Sequence, residues 1–183
     1  NNLKTEKFNT YEVGFKDMLW NSFVSATAFH TQTNNEIYLN MDHGVLGGPS
    51  TARWTFHNLK ATERTGVELF AEQYLGKLRV NESFTYVNAK IKKVGDDVLT
   101  STTYNFKDGQ KIPGVPSTKV TLGLDYEIAD GLRTTANLNY YSSSVDTYNE
   151  KIPSYSTTDL GLKYKHQSGF GLNAGVKNVF NKK

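Results

Sequence analysis

Residues 119–128 read Lys119-Val120-Thr121-Leu122-Gly123-Leu124-Asp125-Tyr126-Glu127-Ile128, and apolar and polar side chains alternate along the whole stretch. Successive side chains of a β-strand point to opposite faces, so this segment is predicted to be a strand with one side in an apolar medium. Residues 132–140 repeat the pattern, and Ala129-Asp130-Gly131 between them is typical of a tight hairpin turn. The stretch therefore predicts an antiparallel β protein.

The same alternation recurs in six further segments and predicts eight strands of about ten residues each, the length that a tilted strand needs to cross a bilayer. Glu82 interrupts the apolar side of one of them. The six segments are residues 11–16, the stretch from the turn at 17–21 to about 30, and residues 66–72, 78–86, 159–165 and 170–177.

The predicted connections fall into two classes that alternate along the chain. Short turns are expected near residues 19, 75, 130 and 168, and long polar loops at about 31–60, 91–116 and 142–154. Outer-membrane barrels combine short periplasmic turns with longer extracellular loops. The fold class is therefore predicted as all-β, an antiparallel transmembrane β-barrel portion. Both chain ends are expected on the long-loop side, as in the interior of a larger barrel.

Composition excludes several other classes. No linker-like segment divides residues 1–183, so one domain is expected. Aromatic residues make up 13% of the chain, which is unlike a disordered protein, and no run of about eighteen apolar residues predicts a transmembrane helix. The net charge of +3 is spread among interleaved acidic and basic residues, so no nucleic-acid partner is predicted. The chain has no cysteine and therefore no thiolate site or disulfide.

Several short motifs resemble the C-terminal barrel of TonB-dependent receptors of the siderophore-receptor type, and they occur in the family's order. The opening segment, residues 2–7 and 11–16, is similar to the family's "NLKPE" and "yE.G.k" pattern, with Thr5 in place of the usual proline. The other similar segments are Arg64-Thr65-Gly66-Val67-Glu68-Leu69, residues 83–89, Ile112-Pro113-Gly114-Val115-Pro116, residues 152–160 and residues 175–183.

The resemblance implies the role of the parent receptor. Such receptors import scarce metal chelates across the Gram-negative outer membrane. A ferric siderophore is the leading expectation for the substrate, and cobalamin and haem are the alternatives. A TonB-type protein supplies the energy by pulling on a plug domain. The matched part corresponds to the barrel without the plug and the final strand. Membrane lipid and lipopolysaccharide are the expected surroundings, and no cofactor, resident metal or enzymatic activity is implied.

Chelate recognition favours aromatic faces and a few cations. The predicted long loops carry six ligand-contact candidates, namely Tyr38, His43, Trp54, His57, Tyr104 and Tyr148. A competing interpretation places such aromatics in the interfacial girdles that flank every membrane barrel. His43 and His57 share one predicted loop, but a metal site normally needs three or four converging ligands, so no metal site is predicted.

Two rival readings of the pattern remain open from the sequence. One is a complete eight-stranded outer-membrane barrel that serves as an adhesin or anchor. The other is a soluble β-sandwich or barrel that binds a ligand, because alternation alone does not say whether the apolar side meets lipid or a protein core. In the barrel interpretation, nine polar residues are predicted to face the lumen: Glu12, Lys16, Glu68, Asp125, Glu127, Asn137, Asn139, Asp159 and Lys163.

Overall fold

The described part of the polypeptide consists mainly of β-strands. A computed structural model describes residues 3–43, 52–95 and 106–182. Within these ranges, eight long strands form one antiparallel sheet in the order β1-β2-β3-β4-β5-β6-β9-β10, and β7 and β8 form a separate two-stranded pair. The strands are β1 Lys7–Leu19, β2 Ser22–His43, β3 Ala52–Leu75, β4 Leu78–Lys93, β5 Thr118–Ala129, β6 Leu132–Tyr141, β7 Ser144–Val145, β8 Lys151–Ile152, β9 Tyr155–Lys165 and β10 Gly171–Val176.

Four tight turns join strands that are neighbours in the sheet. They lie at residues 20–21, 76–77, 130–131 and 167–168, so the predicted short turns are confirmed. At the third turn Gly131 has a φ of +69°, and a Cβ there would lie 2.2 Å from the carbonyl oxygen of Lys165. Only glycine fits this position, so Gly131 is required by the turn and its presence in the sequence predicts the hairpin. The end of the sheet that carries these turns is called the short-turn end.

No helix that is long and apolar enough to span a membrane occurs in the part of the chain that the structure describes.

The strands β2 and β3 are much longer than predicted. They contain 22 and 24 residues, and they remain paired up to His43, which lies opposite Ala52. The long polar loop predicted at about 31–60 is therefore wrong for most of its length, as is a uniform strand length of about ten residues. The part of this paired hairpin beyond Asn35 is called the β2–β3 arm.

The physical reason for this error lies at Asn35. Its φ of 56° is left-handed, and the pairing of β2 with β3 skips Asn35 and Lys60 between the pairs Asn34–Ala61 and Glu36–Leu59. Beyond this break the side chains of β2 exchange faces. Beyond it Ile37 and Leu39 are exposed on one face, whereas Tyr38 packs on the other. The alternation continues in a new phase, and the polar run at residues 31–36 conceals it.

The other two predicted long connections do join β4 to β5 and β6 to β9. The described part of the β4–β5 connection, residues 106–117, lies beside the C-terminal half of β4. The Ile91 N–H donates to the carbonyl of Gln110 at 2.8 Å, and the Val87 N–H donates to that of Ser117 at 2.9 Å. The second connection contains the short β7–β8 pair. Both lie at the end of the sheet opposite the tight turns, called the long-loop end.

The sheet has one apolar and one polar face, as the alternation predicts. The second predicted strand, which runs from the turn at 17–21 to about residue 30, is part of β2. Its register is set by the pairing of β1 with β2, from Lys7–Asn34 to Leu19–Ser22. The apolar face is called the outer face, and its side chains are not covered: Leu138 is 45% exposed and Leu160 48%. One outer row across six neighbouring strands consists of Phe15, Ala26, Leu69, Phe84, Val120 and Tyr140.

The opposite face, called the inner face, carries the polar residues. All nine side chains predicted to face the lumen share it by register. Ion pairs link neighbouring strands there, between Arg79 and Glu72 at 2.7 Å and between Arg133 and Asp125 at 2.7 Å. Glu82 is an exception in the sheet pattern, because it lies on the outer face, directly opposite Leu122.

The topology argues against both rival readings. In the described part of the chain β1 and β10 are the two edges of the sheet and do not pair with each other, so these eight strands form no closed cylinder. A sandwich needs a second sheet over the apolar face, and the only other sheet found in these ranges is the two-residue β7–β8 pair. An open, two-faced sheet is what a portion of a larger barrel looks like.

Candidate ligand-binding site at the long-loop end

The structure distributes the six predicted ligand-contact residues unevenly. Tyr38 and His57 lie directly opposite each other on the β2–β3 arm. Tyr148 is 55% exposed in the connection between β7 and β8. The backbones of His43 and Trp54 belong to the tip of the β2–β3 arm, but their side chains, and the whole of Tyr104, lie outside the described residues.

The two histidines of the arm are too far apart to share a metal ion. His43 is paired with Ala52, which lies five residues along β3 from His57. At about 3.4 Å per residue the separation is roughly 17 Å, longer than two imidazole side chains reach. In residues 3–43, 52–95 and 106–182, no group of three or more potential ligands from His, Cys, Asp and Glu converges.

Tyr38 belongs to a packed cluster at the long-loop end of the inner face, called the apical cluster. Its ring meets that of Phe106 edge-on, with 5.1 Å between the centroids. Burial raises the pKa of the Tyr38 phenol, and the negative charges of Glu36 and Asp146 raise it further. A neutral ring held in this way has a packing role. The cluster consists of Leu59, Ala89, Ile91, Val94, Phe106 and Ile112, with Tyr38, Val87 and Val115 against it.

A charged pair lies beside the apical cluster. Arg64 binds both carboxylate oxygens of Glu36, at 2.7 and 2.9 Å, and the Thr62 hydroxyl also donates to this carboxylate. Burial acts to raise the Glu36 pKa, but the hydrogen bonds from Arg64 and Thr62 and the Arg64 charge outweigh it, so the pKa lies below its ordinary value. This planar two-point contact fixes the inner face where the β2–β3 arm begins.

The break in pairing at Asn35 is bridged by the side chain of Asn58. Its amide accepts from the Lys4 N–H at 2.7 Å and donates to the Lys4 and Asn35 carbonyls at 3.0 and 2.7 Å. The amide group thus supplies peptide-like hydrogen bonds where the β1–β2 pairing stops. This contact anchors the segment before β1 that carries the first of the motifs noted in the sequence.

The inner face also holds a group that sequence reasoning missed, called the tyrosine patch: Lys119, Tyr141 and Tyr155. They lie side by side on β5, β6 and β9. The two rings stack with 4.9 Å between their centroids and 19° between their planes, and the Lys119 ammonium lies 5.6 Å from the Tyr141 centroid. Such a group offers a flat aromatic surface and a cation, which suits a planar anion.

A sequence signal for the tyrosine patch existed. Asn137 and Asn139 are on the polar side of β6, so the next residue of that parity is Tyr141, and the same counting on β9 leads from Asp159 to Tyr155. The six candidates predicted from the sequence lie inside the predicted loops, whereas these two tyrosines flank the loop at 142–154.

Residues 1–179 match a family model described as TonB dependent receptor-like, beta-barrel. The chain belongs to this family. The resemblance drawn from the short motifs is thereby confirmed, together with the all-β barrel class. TonB-dependent receptors are outer-membrane transport proteins of Gram-negative bacteria, so the expectation of a receptor component and not an enzyme is confirmed at the level of the family.

Several solved structures share the fold. The matches include a mutant of the ferric enterobactin receptor PfeA from Pseudomonas aeruginosa (21% identity, TM-score 0.68, 98% of this chain and 26% of that chain). The siderophore receptor PiuA from Acinetobacter baumannii matches at 23% identity and a TM-score of 0.68, over 96% of this chain and 24% of that chain. The copper transporter OprC matches at 19% identity and a TM-score of 0.73, over 99% and 26%. The chain spans about a quarter of the length of these structures.

Proposed function

We propose that the receptor to which this chain belongs takes up a metal chelate, a ferric siderophore in the first place, across the outer membrane, with energy transmitted by a TonB-type protein. The observation that carries the proposal is the tyrosine patch, which presents two stacked rings and a cation on the polar face at the long-loop end. Two of the structural relatives are described as a ferric enterobactin receptor and a siderophore receptor, which supports the same class of cargo.

The two faces of the sheet give each part of the proposal a physical basis. The outer face carries exposed Leu, Val and Tyr side chains and would contact lipid and lipopolysaccharide. The inner face offers hydroxyl, amide and charged groups, which a hydrophilic chelate can pass without losing its hydrogen bonds. Binding and passage need no covalent chemistry, so the work of the chain is recognition and enclosure.

The test uses the full-length receptor in cells and as purified protein in detergent. The probe is a ferric complex of a catecholate siderophore carrying radioactive iron. Tyr155→Ala and Lys119→Gln are expected to weaken binding about tenfold each, because a stacked ring or a desolvated cation contributes about 1–2 kcal/mol. Tyr140→Ala is the matched control, since this neighbour of Tyr141 lies on the outer face.

Energy coupling is tested separately in the same cells. Collapsing the proton gradient should stop accumulation of iron and leave surface binding intact. A wild-type receptor that binds neither catecholate nor hydroxamate ferric complexes contradicts the proposal. Unchanged binding in the Tyr155 and Lys119 variants, with wild-type uptake intact, removes the tyrosine patch from the proposal but not the cargo class.

A further inference from the structure

Two lysines face each other on the outer face near the long-loop end. Lys90 of β4 and Lys111 form an isolated antiparallel bridge. The bridge is flanked by two backbone hydrogen bonds of 2.8 and 3.2 Å, so it is a pair without hydrogen bonds of its own, in which facing side chains come closest. Like charges in this position destabilise a sheet unless an anion neutralises them.

The direction of these side chains follows from their neighbours. Ala89, Ile91 and Ile112 are all buried in the apical cluster on the inner face, so Lys90 and Lys111 project from the opposite face. Neither lysine forms an ion pair within the described ranges. Glu63 of β3 lies directly opposite Lys90 on the same face, and its carboxylate contacts Lys92 at 3.3 Å. Three ammonium groups and one carboxylate leave this part of the outer face with an excess of positive charge.

A groove of about 580 Å³ lies directly below the lysines on the same face. Asn88, two residues before Lys90, lines its upper end together with Thr65 and His30, whose Nδ1 lies 2.7 Å from the Thr65 hydroxyl. Further from the lysines the lining is apolar, with Val13, Val67 and Tyr86 among the residues. The groove is therefore polar at one end and apolar at the other.

The depth of this groove in a bilayer can be worked out from β4. Tyr86 and the Leu78–Tyr126 pair mark the two aromatic levels of the outer face, eight residues apart. At about 3.4 Å per residue and a tilt near 40°, they are roughly 20 Å apart in depth, close to the height of the apolar band of such barrels. The apolar end of the groove is thus level with Tyr86, at the upper edge of the band. Lys90, four residues further along β4, lies roughly 10 Å above this edge, at the level of the headgroups of the outer leaflet.

We infer that this part of the outer face binds one phosphorylated lipid of the outer leaflet. The phosphate sits between Lys90 and Lys111, the sugar or glycerol part of the headgroup meets His30, Thr65 and Asn88, and an acyl chain fills the apolar part of the groove. A free anion would use only the lysines, and a plain hydrocarbon only the groove. The site is on the opposite face from the tyrosine patch; it rests on the proposed contact of the outer face with lipid and not on the proposed chelate uptake.

The experiment uses the full-length receptor purified in a non-ionic detergent and titrated with fluorescent bis-phosphorylated lipid A. The double variant Lys90→Gln/Lys111→Gln should weaken binding at least about tenfold, because hydrogen bonds to charged groups are the strong ones. The control is Lys77→Gln/Lys165→Gln, which removes the same charge at the short-turn end, and it should stay within about twofold of wild type. Folding of each variant is checked by heat-modifiable migration on a gel.

A second variant tests the groove without touching the lysines. Ala28→Phe places a ring in the groove on the exposed outer face and should weaken lipid binding several-fold. Equal affinity of the lysine double variant and its control overturns the inference, and so does equal affinity for lipid A with and without its phosphates. Complete displacement of the lipid by millimolar inorganic phosphate also overturns it, because a bound acyl chain would resist this competitor.

Discussion

Replacing Leu138 by arginine tests whether the outer face meets hydrocarbon. Leu138 lies opposite Leu122, in the same row as Glu82. On β4 this row is four residues from the level of Leu78 and four from that of Tyr86, which places it midway between the aromatic levels. A cationic side chain at the midplane of a membrane barrel costs about 2–4 kcal/mol, and near the interfaces about 0–1 kcal/mol. The Leu138→Arg variant should therefore lose about 2–4 kcal/mol of unfolding free energy.

Three further arginine variants make this magnitude diagnostic. Asn137→Arg changes the neighbouring residue on the inner face and should cost less than about 1 kcal/mol. Ile128→Arg is on the outer side next to the Asp130–Gly131 turn and should also cost about 0–1 kcal/mol. Leu122→Arg is at the same depth as Leu138→Arg but faces Glu82 directly, so its cost should be the smaller of the two.

The assay is equilibrium unfolding of the full-length receptor in lipid vesicles, followed by tryptophan fluorescence and by the folded fraction on gels. The decisive comparison is between adjacent residues of β6. If Leu138→Arg and Asn137→Arg cost the same, or if Leu138→Arg costs less than about 1 kcal/mol, the assignment of the outer face to lipid is refuted.

Three other perturbations follow from the inner face and the backbone. Gly66→Ala places a Cβ 2.2 Å from a backbone carbonyl and 2.7 Å from an aromatic ring, so it should cost about 1–3 kcal/mol, whereas Gly171→Ala, whose nearest atom is 3.5 Å away, should cost less than about 1 kcal/mol in the same unfolding assay. Phe106→Ala empties the centre of the apical cluster and should lower local stability by about 3–5 kcal/mol, seen as faster amide exchange at the long-loop end and normal exchange at the tight turns. The lowered pKa of Glu36 means that its contact with Arg64 stabilises the start of the β2–β3 arm fully above the ordinary carboxyl pKa, and that this stabilisation is lost as pH falls through the folded value. Amide exchange there should therefore become faster in acid in the wild type. Glu36→Gln should abolish this acid-dependent rise, and the same rise in the variant as in the wild type contradicts the assignment.

Much of the fold could be predicted from patterns among neighbouring residues. In β5 and β6 every second residue is apolar and a glycine turn joins the strands, so strand, face and hairpin all follow from neighbouring residues. The length of the β2–β3 arm did not follow, because the break in pairing at Asn35 reverses the phase of the alternation in the middle of a polar run. Such a break depends on how two strands pair, and the periodicity of a single strand does not contain that information.

The candidate sites likewise divide into one that local alternation predicts and one that it does not. Tyr141 and Tyr155 were accessible to sequence reasoning, because both continue an alternation already identified on their strands. The pairing of Lys90 with Lys111 was not, since it joins β4 to a connection whose path is fixed by burial of Phe106 and Ile112. Contacts of that kind arise from tertiary packing and leave no periodic trace in the sequence.

Site-directed spin labelling tests the two-faced sheet most directly. Residues 1–183 contain no cysteine, so a single cysteine introduced along β6 or β9 is the one labelling site in this part of the receptor, and any cysteine elsewhere in the full-length receptor is first replaced by serine. In the full-length receptor in lipid vesicles, nitroxides at Leu138 and Leu160 should be relaxed preferentially by oxygen, which concentrates in hydrocarbon. Nitroxides at Asn137 and Asp159 should instead show low oxygen accessibility, and the preference should alternate with every residue. Equal oxygen accessibility at adjacent positions, or low oxygen accessibility at Leu138 and Leu160, would contradict an outer face in contact with lipid.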